Sequence, residues 1–85
     1  MEDDTSQVGG KADAYRDLIK PGDAVETPDK ELWVVEEIGG GSARLTSALR
    51  DSAGQIYLDI YEPITTTVST EYVRKVADAR QVRRP

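Results

Sequence analysis

Cysteine and histidine are both absent from this chain of 85 residues, and their absence removes whole classes of chemistry. Without thiolate or imidazole ligands, a zinc, iron or copper site of the usual kind cannot form, and only carboxylate sites for hard cations remain. Ser-His-Asp and Cys-His catalysis are excluded, and the commonest general base at neutral pH is missing. We therefore expect no metal, no cofactor and no enzymatic activity.

Long apolar runs are missing as well. The chain has no run of eighteen apolar residues, so we expect no membrane-spanning helix and no membrane partner. Its first ten residues, MEDDTSQVGG, are acidic and polar, which is the opposite of a secretory signal. Together with the lack of cysteine for disulfides, this pattern predicts a cytoplasmic protein that depends on a hydrophobic core for its stability.

Basic residues are scarce until the end of the chain. The formal net charge is -5, yet the last twelve residues carry five basic side chains against one acidic side chain. We interpret residues 77–85 as a basic, mobile C-terminal tail, because only Val82 among them is available to a core. The tail either keeps the protein soluble, folds back on the acidic surface, or contacts phosphates through Arg80, Arg83 and Arg84.

The first nineteen residues divide into two segments. Residues 1–10 have no apolar periodicity, and we expect them to be disordered. Residues 11–19 place Ala12, Tyr15, Leu18 and Ile19 at helical spacing, and Pro21 ends that pattern. The spacing predicts a short helix at the start of a single domain spanning 11–76, although a first strand beginning at Leu18 is an alternative.

The pattern of residues 20–76 predicts short strands separated by turns. LWVVEEI (32–38) is β-branched and aromatic but alternates imperfectly, and a β-bulge at Glu36–Glu37 would return Ile38 to the face of Trp33 and Val35. Strands are also predicted around Val25 and in SARLTSALR (42–50), QIYLDIY (55–61) and ITTTVS (64–69). A helical turn capped by Ser69 or Thr70 then leads into a last strand that ends at Val76.

This pattern predicts a mainly β fold with one inward face. The expected architecture is a small five-stranded, partly open barrel over 20–76, with a short N-terminal helical segment and disordered ends. The expected inward side chains are Val25, Trp33, Val35, Ile38, Leu45, Ile56, Leu58, Ile60, Val68, Val73 and Val76.

Three stretches carry a resemblance to a known group of folds. KPGDAV (20–25) opens the first strand, WVVEEI (33–38) lies in the second, and STEYVRKV (69–76) closes the domain. In this order they resemble the small Src-homology-3-like barrels, which include Tudor, chromo-barrel and KOW-type domains. The resemblance implies the barrel architecture only. The acid-rich VETPDKEL (25–32) departs from a KOW-type loop, and only Tyr57 and Tyr61 are available for a Tudor-type aromatic cage.

The glycine run at 39–41 raises the possibility of a phosphate-binding loop. GGGSARL has neither the lysine nor the second spaced glycine of a Walker-type loop, and the dinucleotide fingerprint is absent. The run therefore predicts a turn between two strands.

The aromatic residues provide the best candidates for a binding surface. Trp33 is the sole tryptophan and is either a core residue or a platform for a ligand. Tyr57 and Tyr61 share the polar face of their predicted strand, and aromatic side chains are enriched at interfaces. We therefore expect a non-enzymatic interaction module that binds a protein segment or a larger assembly through Trp33, Tyr57 and Tyr61. The alternative is a nucleic-acid accessory protein acting through Arg80, Arg83 and Arg84.

Overall fold

A computed structural model describes residues 19–84. That part of the chain contains seven strands, two one-turn 3₁₀ helices and no helix of seven or more residues. The strands are β1 (Ala24–Glu26), β2 (Leu32–Gly39), β3 (Ser42–Arg50), β4 (Ile56–Leu58), β5 (Thr65–Ser69), β6 (Arg74–Ala77) and β7 (Val82–Arg83). The 3₁₀ turns span Thr70–Tyr72 and Ala79–Gln81. The predicted disordered stretch 1–10 and all but the last residue of the predicted helix 11–19 lie outside the described residues.

The strands form a curled sheet that stays open as a half-barrel. Their order is β6-β1-β2-β3-β4-β7, and β5 pairs with the first half of β3 while β4 pairs with its end. All of these pairs are antiparallel except β4–β7. The predicted mainly β, partly open barrel is thus found, but the predicted count of five strands is wrong. The strands β1 to β6 each correspond to a predicted strand segment, whereas β7 arises from the segment that was expected to be a tail.

The hairpin between β2 and β3 follows from local sequence signals. Gly39 pairs with Ser42, which leaves Gly40 (φ 60°) and Gly41 (φ 79°) as a two-residue turn. Positive φ at both positions is the type I′ geometry, which glycine adopts without steric cost. The predicted turn is confirmed.

The predicted bulge in β2 is confirmed too. Val35 pairs with Leu45 and Glu37 with Arg44, so Glu36 is the extra residue. The bulge brings Ile38 opposite Ala43, onto the Val35 face. Ile38 is nevertheless 37% exposed. It lies at the hairpin end, where a Cβ added to any of the three glycines would meet no atom within 4 Å.

Hydrophobic clusters cover both faces of the central strands. Val34 and Val35 are neighbours, so their side chains point to opposite faces, yet each is only 1% exposed. The first cluster contains Ile19, Val25, Val35, Ala43, Leu45 and Val73. The second cluster contains Ala24, Val34, Ile56 and Val82. This burial on two faces explains why LWVVEEI does not alternate strictly between apolar and polar residues.

The predicted inward set is only partly correct, because it assumed one core. The buried members are Val25, Val35, Leu45, Ile56 and Val73, and the half-buried members are Trp33, Leu58, Val68 and Val76. Ile38 and Ile60 were wrongly assigned to the interior. Ile60 is 50% exposed because the chain bends after β4: Asp59 Oδ1 accepts a hydrogen bond from the Tyr61 backbone N–H at 3.0 Å.

Residues 77–84 pack against the sheet and extend it by a strand, so the prediction of a mobile tail is wrong for this part of the chain. β7 pairs in parallel with β4, where Val82 lies opposite Ile56. Val82 is 7% exposed and belongs to the second cluster, with Ala77 packed beside it. The physical reason is the second apolar face of the sheet: the buried Val34 needs cover, and this segment supplies part of it.

Candidate binding groove

Three strands align a row of side chains on the face opposite the second cluster. The register places Leu49 of β3 beside Tyr57 of β4, and Tyr57 beside Arg83 of β7. Because Ile56 and Val82 point into the second cluster, their strand neighbours Tyr57 and Arg83 point outward. The row is accordingly open to ligands: Leu49 is 49% exposed and Tyr57 is 39% exposed.

This row lies in an open groove of about 560 Å³, which we name the Tyr57 groove. Small-molecule and cofactor pockets in proteins have volumes of about 300–1,000 Å³, so the groove is large enough for several side chains of a partner. Its apolar lining comes from Leu49, Tyr57, Leu58, Ile60 and Tyr61. Its charged lining comes from Arg50, Asp51, Arg83 and Arg84.

The turn after β3 fixes one wall of the groove. Asp51 Oδ1 accepts hydrogen bonds from the backbone N–H groups of Ala53 (2.9 Å) and Gln55 (2.8 Å). Gly54, with φ 86°, completes this turn. The other carboxylate oxygen, Oδ2, accepts a hydrogen bond of 3.0 Å from the Tyr57 hydroxyl. The Tyr57 ring is therefore held in place, or tethered, through its hydroxyl group.

The same contacts set the protonation of both groups. The Gln55 backbone N–H is the main reason that the pKa of Asp51 lies below its ordinary value, and the Tyr57 hydroxyl adds to this effect. In return, the hydrogen bond to Asp51 raises the pKa of Tyr57, against a smaller opposite effect of the Arg83 charge. Tyr57 therefore stays a neutral hydrogen-bond donor at neutral pH.

Tyr61 lies at the rim on a bend that Asp59 holds in place. Asp59 Oδ1 accepts hydrogen bonds from the backbone N–H groups of Tyr61 (3.0 Å) and Glu62 (3.2 Å). The Asp59 N–H in turn donates to the Ser47 carbonyl at 3.1 Å. Tyr61 itself is 84% exposed. Its backbone is thus fixed while its ring remains free to contact a partner.

Arg83 and Arg84 bring positive charge to the groove. Within residues 19–84, neither takes part in a salt bridge. Arg84 extends towards the turn at residues 20–23, which we name the first turn. Its Nη2 would lie 3.4 Å from a Cβ on Gly22. Arg80, predicted to act together with them, lies apart and is paired with Asp78 at 3.7 Å.

The groove thus combines residues from both sequence-based hypotheses. Tyr57 and Tyr61 were candidates for protein binding, and Arg83 and Arg84 were candidates for phosphate binding. Trp33, the third candidate for protein binding, does not line the groove. It packs half-buried against the first cluster, and its Nε1 has no hydrogen-bond partner in the described part of the chain.

Sequence reasoning missed the apolar and charged residues that complete the groove. Ile60 was assigned to the core on strand alternation, and the bend at Asp59 that exposes it has no strong sequence signal. Leu49 continues the period-two pattern of Ala43 and Leu45 but lies beyond the first cluster. Its position at the end of a strand beside Arg50 was the available signal of exposure.

No helix in 19–84 has the length and apolar character needed to cross a membrane. In the same range, no three acidic side chains gather in a way that would hold a metal ion. No protein-family model, curated protein or solved structure matches this chain. The groove is therefore the basis for a functional proposal.

Proposed function

We propose that this protein is a non-enzymatic interaction module that binds a protein segment in the Tyr57 groove. The observation that carries the proposal is the meeting of Tyr57, Tyr61, Arg83 and Arg84 in one open groove. Tyrosine and arginine are enriched at the energetic centres of interfaces, because each combines a large contact area with hydrogen bonding. The exposed Leu49 adds apolar surface to the same place.

We further infer that the fold is an elaborated Src-homology-3-like barrel. Five strands follow the path β6-β1-β2-β3-β5, and a 3₁₀ turn at Thr70–Tyr72 precedes β6. Ser69 caps that turn by accepting a hydrogen bond from the Glu71 N–H at 3.3 Å. In this view β4 and β7 are additions to the barrel, and together with the end of β3 they build the groove. Because such barrels serve many functions, the groove rather than the fold supports the proposal.

Site-directed photo-crosslinking tests the proposed function. A photoreactive benzoyl-phenylalanine replaces Tyr61 in one variant and Tyr72 in a matched control. Both tyrosines are exposed, but Tyr72 lies on the Thr70–Tyr72 turn and does not line the groove. In extracts of the native host, we expect protein adducts from position 61 that survive nuclease treatment, and none from position 72. Equal labelling at both positions, or no protein adduct at position 61, would refute the proposal.

A second candidate function is nucleic-acid binding. The groove favours it in one respect, because arginines beside exposed tyrosine rings provide both phosphate contacts and base stacking. Acidic side chains nevertheless outnumber basic ones by eleven to nine in residues 19–84, and this net charge opposes a polyanion. An electrophoretic shift with single-stranded oligonucleotides that disappears steeply with added salt and in R83Q/R84Q would favour this candidate.

A further inference from the structure

Building on the proposed function, we propose that the partner of the Tyr57 groove is an acidic, apolar peptide segment. In such a segment, an Asp or Glu side chain neighbours a large apolar side chain. The carboxylate is held by Arg83 and Arg84, and the apolar side chain packs against Leu49, Ile60 and Tyr61.

The pairing of the arginines supports an acidic partner. Every arginine of residues 19–84 that lies outside the groove is paired with a carboxylate: Arg44 with Glu36 (3.1 Å), Arg74 with Glu26 (2.7 Å) and Arg80 with Asp78 (3.7 Å). The three groove arginines, Arg50, Arg83 and Arg84, form no salt bridge within the described residues. The groove therefore concentrates positive charge that no carboxylate of residues 19–84 neutralises, on a protein whose net charge is negative.

Among residues 19–84, the single carboxylate that lines the groove is that of Asp51, and it is already occupied. Both oxygens of Asp51 accept hydrogen bonds, one from two backbone N–H groups of its own turn and the other from Tyr57. These contacts direct Asp51 towards its own turn and the tyrosine rather than towards Arg83 or Arg84. A carboxylate from a partner would complete this part of the groove, and the planar guanidinium of arginine matches a carboxylate in two-point geometry.

The apolar lining favours a peptide over a nucleic acid. Ile60 is 50% exposed and Leu49 is 49% exposed, on the same groove as the arginines. The sugar–phosphate backbone of a nucleic acid is charged and polar, and its bases stack chiefly on aromatic rings, whereas a peptide brings a charged and an aliphatic side chain together within a few residues. Removal of this apolar surface from water would stabilise the complex independently of salt.

The acidic amino terminus of the chain is a competitor that the experiment has to test. Glu2, Asp3 and Asp4 give the amino terminus the charge that the arginines require. The first described residues lead to Gly22, which lies close to Arg84. Occupation by the chain's own terminus is therefore an outcome that the experiment has to separate from binding of a partner.

The experiment selects ligands without assuming an identity for the partner. A display library of random 12-residue peptides is selected against the full-length wild-type protein, against R83Q/R84Q and against E2Q/D3N/D4N. We expect the wild-type protein to enrich peptides in which an acidic residue neighbours a large apolar one. One enriched peptide is then synthesised in an acidic form and in a matched form with Asn and Gln at the acidic positions, and each is measured by fluorescence anisotropy.

A double-mutant cycle gives the decisive numbers. We expect the matched amide peptide to bind the wild-type protein about tenfold more weakly than the acidic one, from two charge pairs at a partly exposed site. R83Q/R84Q should lose a similar factor for the acidic peptide and almost nothing for the amide peptide, because the coupling is between these groups. The control R80Q, outside the groove, should bind both peptides as the wild-type protein does.

Each contrary result overturns a defined part of the proposal. Peptides that bind in the groove equally well in acidic and amide forms overturn the acidic partner but leave the proposed function intact. Failure to select any peptide, combined with oligonucleotide binding that requires Arg83 and Arg84, overturns both. Selection that succeeds only with E2Q/D3N/D4N assigns the groove to the chain's own amino terminus and overturns an external partner.

Discussion

Asp23 Oδ1 accepts a hydrogen bond of 2.9 Å from the backbone N–H of Ala79, which joins the first turn to a residue 56 positions later. The other oxygen, Oδ2, accepts the Lys20 N–H at 2.9 Å and lies 3.3 Å from Lys75 Nζ. Asp23 is 3% exposed, so these partners compensate for the burial of a carboxylate. The contact anchors the segment that carries Arg83, so the charged side of the groove depends on it.

Replacement of Asp23 by Asn tests this anchor. Both Asp23 oxygens face only donors, so the amide hydrogens of Asn meet no acceptor in either orientation. At least one contact is therefore lost and a polar group remains unsatisfied. We expect Asp23→Asn to lower the free energy of unfolding by about 2 kcal/mol, measured by urea denaturation. Glu71→Gln is the control, because the Glu71 side chain has no ion pair in the described residues. A loss no larger than that of the control would contradict the anchoring role.

Local signals explain which parts of this fold were predictable from the sequence. The Gly40–Gly41 turn, the bulge at Glu36 and the Ser69 cap each depend on a few neighbouring residues with a defined backbone preference. Such preferences can be recognised from the sequence alone. Tyr57 and Tyr61 were also recognisable as a candidate surface, because strand alternation places both on the polar face and aromatic side chains are enriched at interfaces.

Long-range pairing explains what was not predictable. Val82 is a single apolar residue in a basic stretch, and nothing near it indicates a parallel pairing with Ile56. The second cluster depends on that pairing, and so does the meeting of Arg83 with Tyr57. The groove could therefore not be assembled from local patterns, although four of its residues had been identified separately.

Adjacent substitutions in β7 test whether the C-terminal segment is packed. Val82→Gln places an amide in the second cluster, where the valine is 7% exposed, whereas Arg83→Gln places the same side chain on the groove face. We expect the first change to cost about 2–3 kcal/mol of unfolding free energy and the second less than about 0.5 kcal/mol. Chemical denaturation of the two variants measures both values. Equal, small effects would show that β7 does not cover the core.

Gly22 provides a further test of the contact between the first turn and the C-terminal segment. Its φ is 96°, and an added Cβ would lie 2.8 Å from the Ala79 Cβ. Gly22→Ala should therefore lower the unfolding free energy by at least about 2 kcal/mol, from backbone strain and from steric overlap.

Two matched variants separate these causes. Gly39→Ala is the control, because an added Cβ there meets no atom within 4 Å. The double variant G22A/A79G removes the overlap but keeps the strained φ, so we expect it to recover part of the loss in thermal denaturation. Full recovery of the melting temperature would mean that the strained backbone at position 22 contributes nothing to the loss. No recovery would mean that a Cβ at position 22 does not meet Ala79.

The Asp51–Tyr57 hydrogen bond predicts a specific pH response of the groove. The pKa of Tyr57 is raised by Asp51, so its contribution to stability is complete below the ordinary tyrosine pKa and is lost as the pH rises through the raised value. The pKa of Asp51 is lowered, so its contribution is present above the ordinary aspartate pKa and is lost as the pH falls through the lowered value.

Asp51→Asn should remove both effects at once. The carboxylate that raises the pKa of Tyr57 is gone, while the opposing influence of Arg83 remains, so we expect Tyr57 to titrate at lower pH than in the wild-type protein. NMR of the Tyr57 ring carbon that bears the hydroxyl, assigned with Tyr57→Phe, measures this directly. Asp29→Asn, in a turn that does not line the groove, is the control and should leave the Tyr57 titration unchanged. An unchanged Tyr57 titration in Asp51→Asn would show that Asp51 does not hold the Tyr57 hydroxyl. It would also contradict the description of this turn as a fixed wall of the groove.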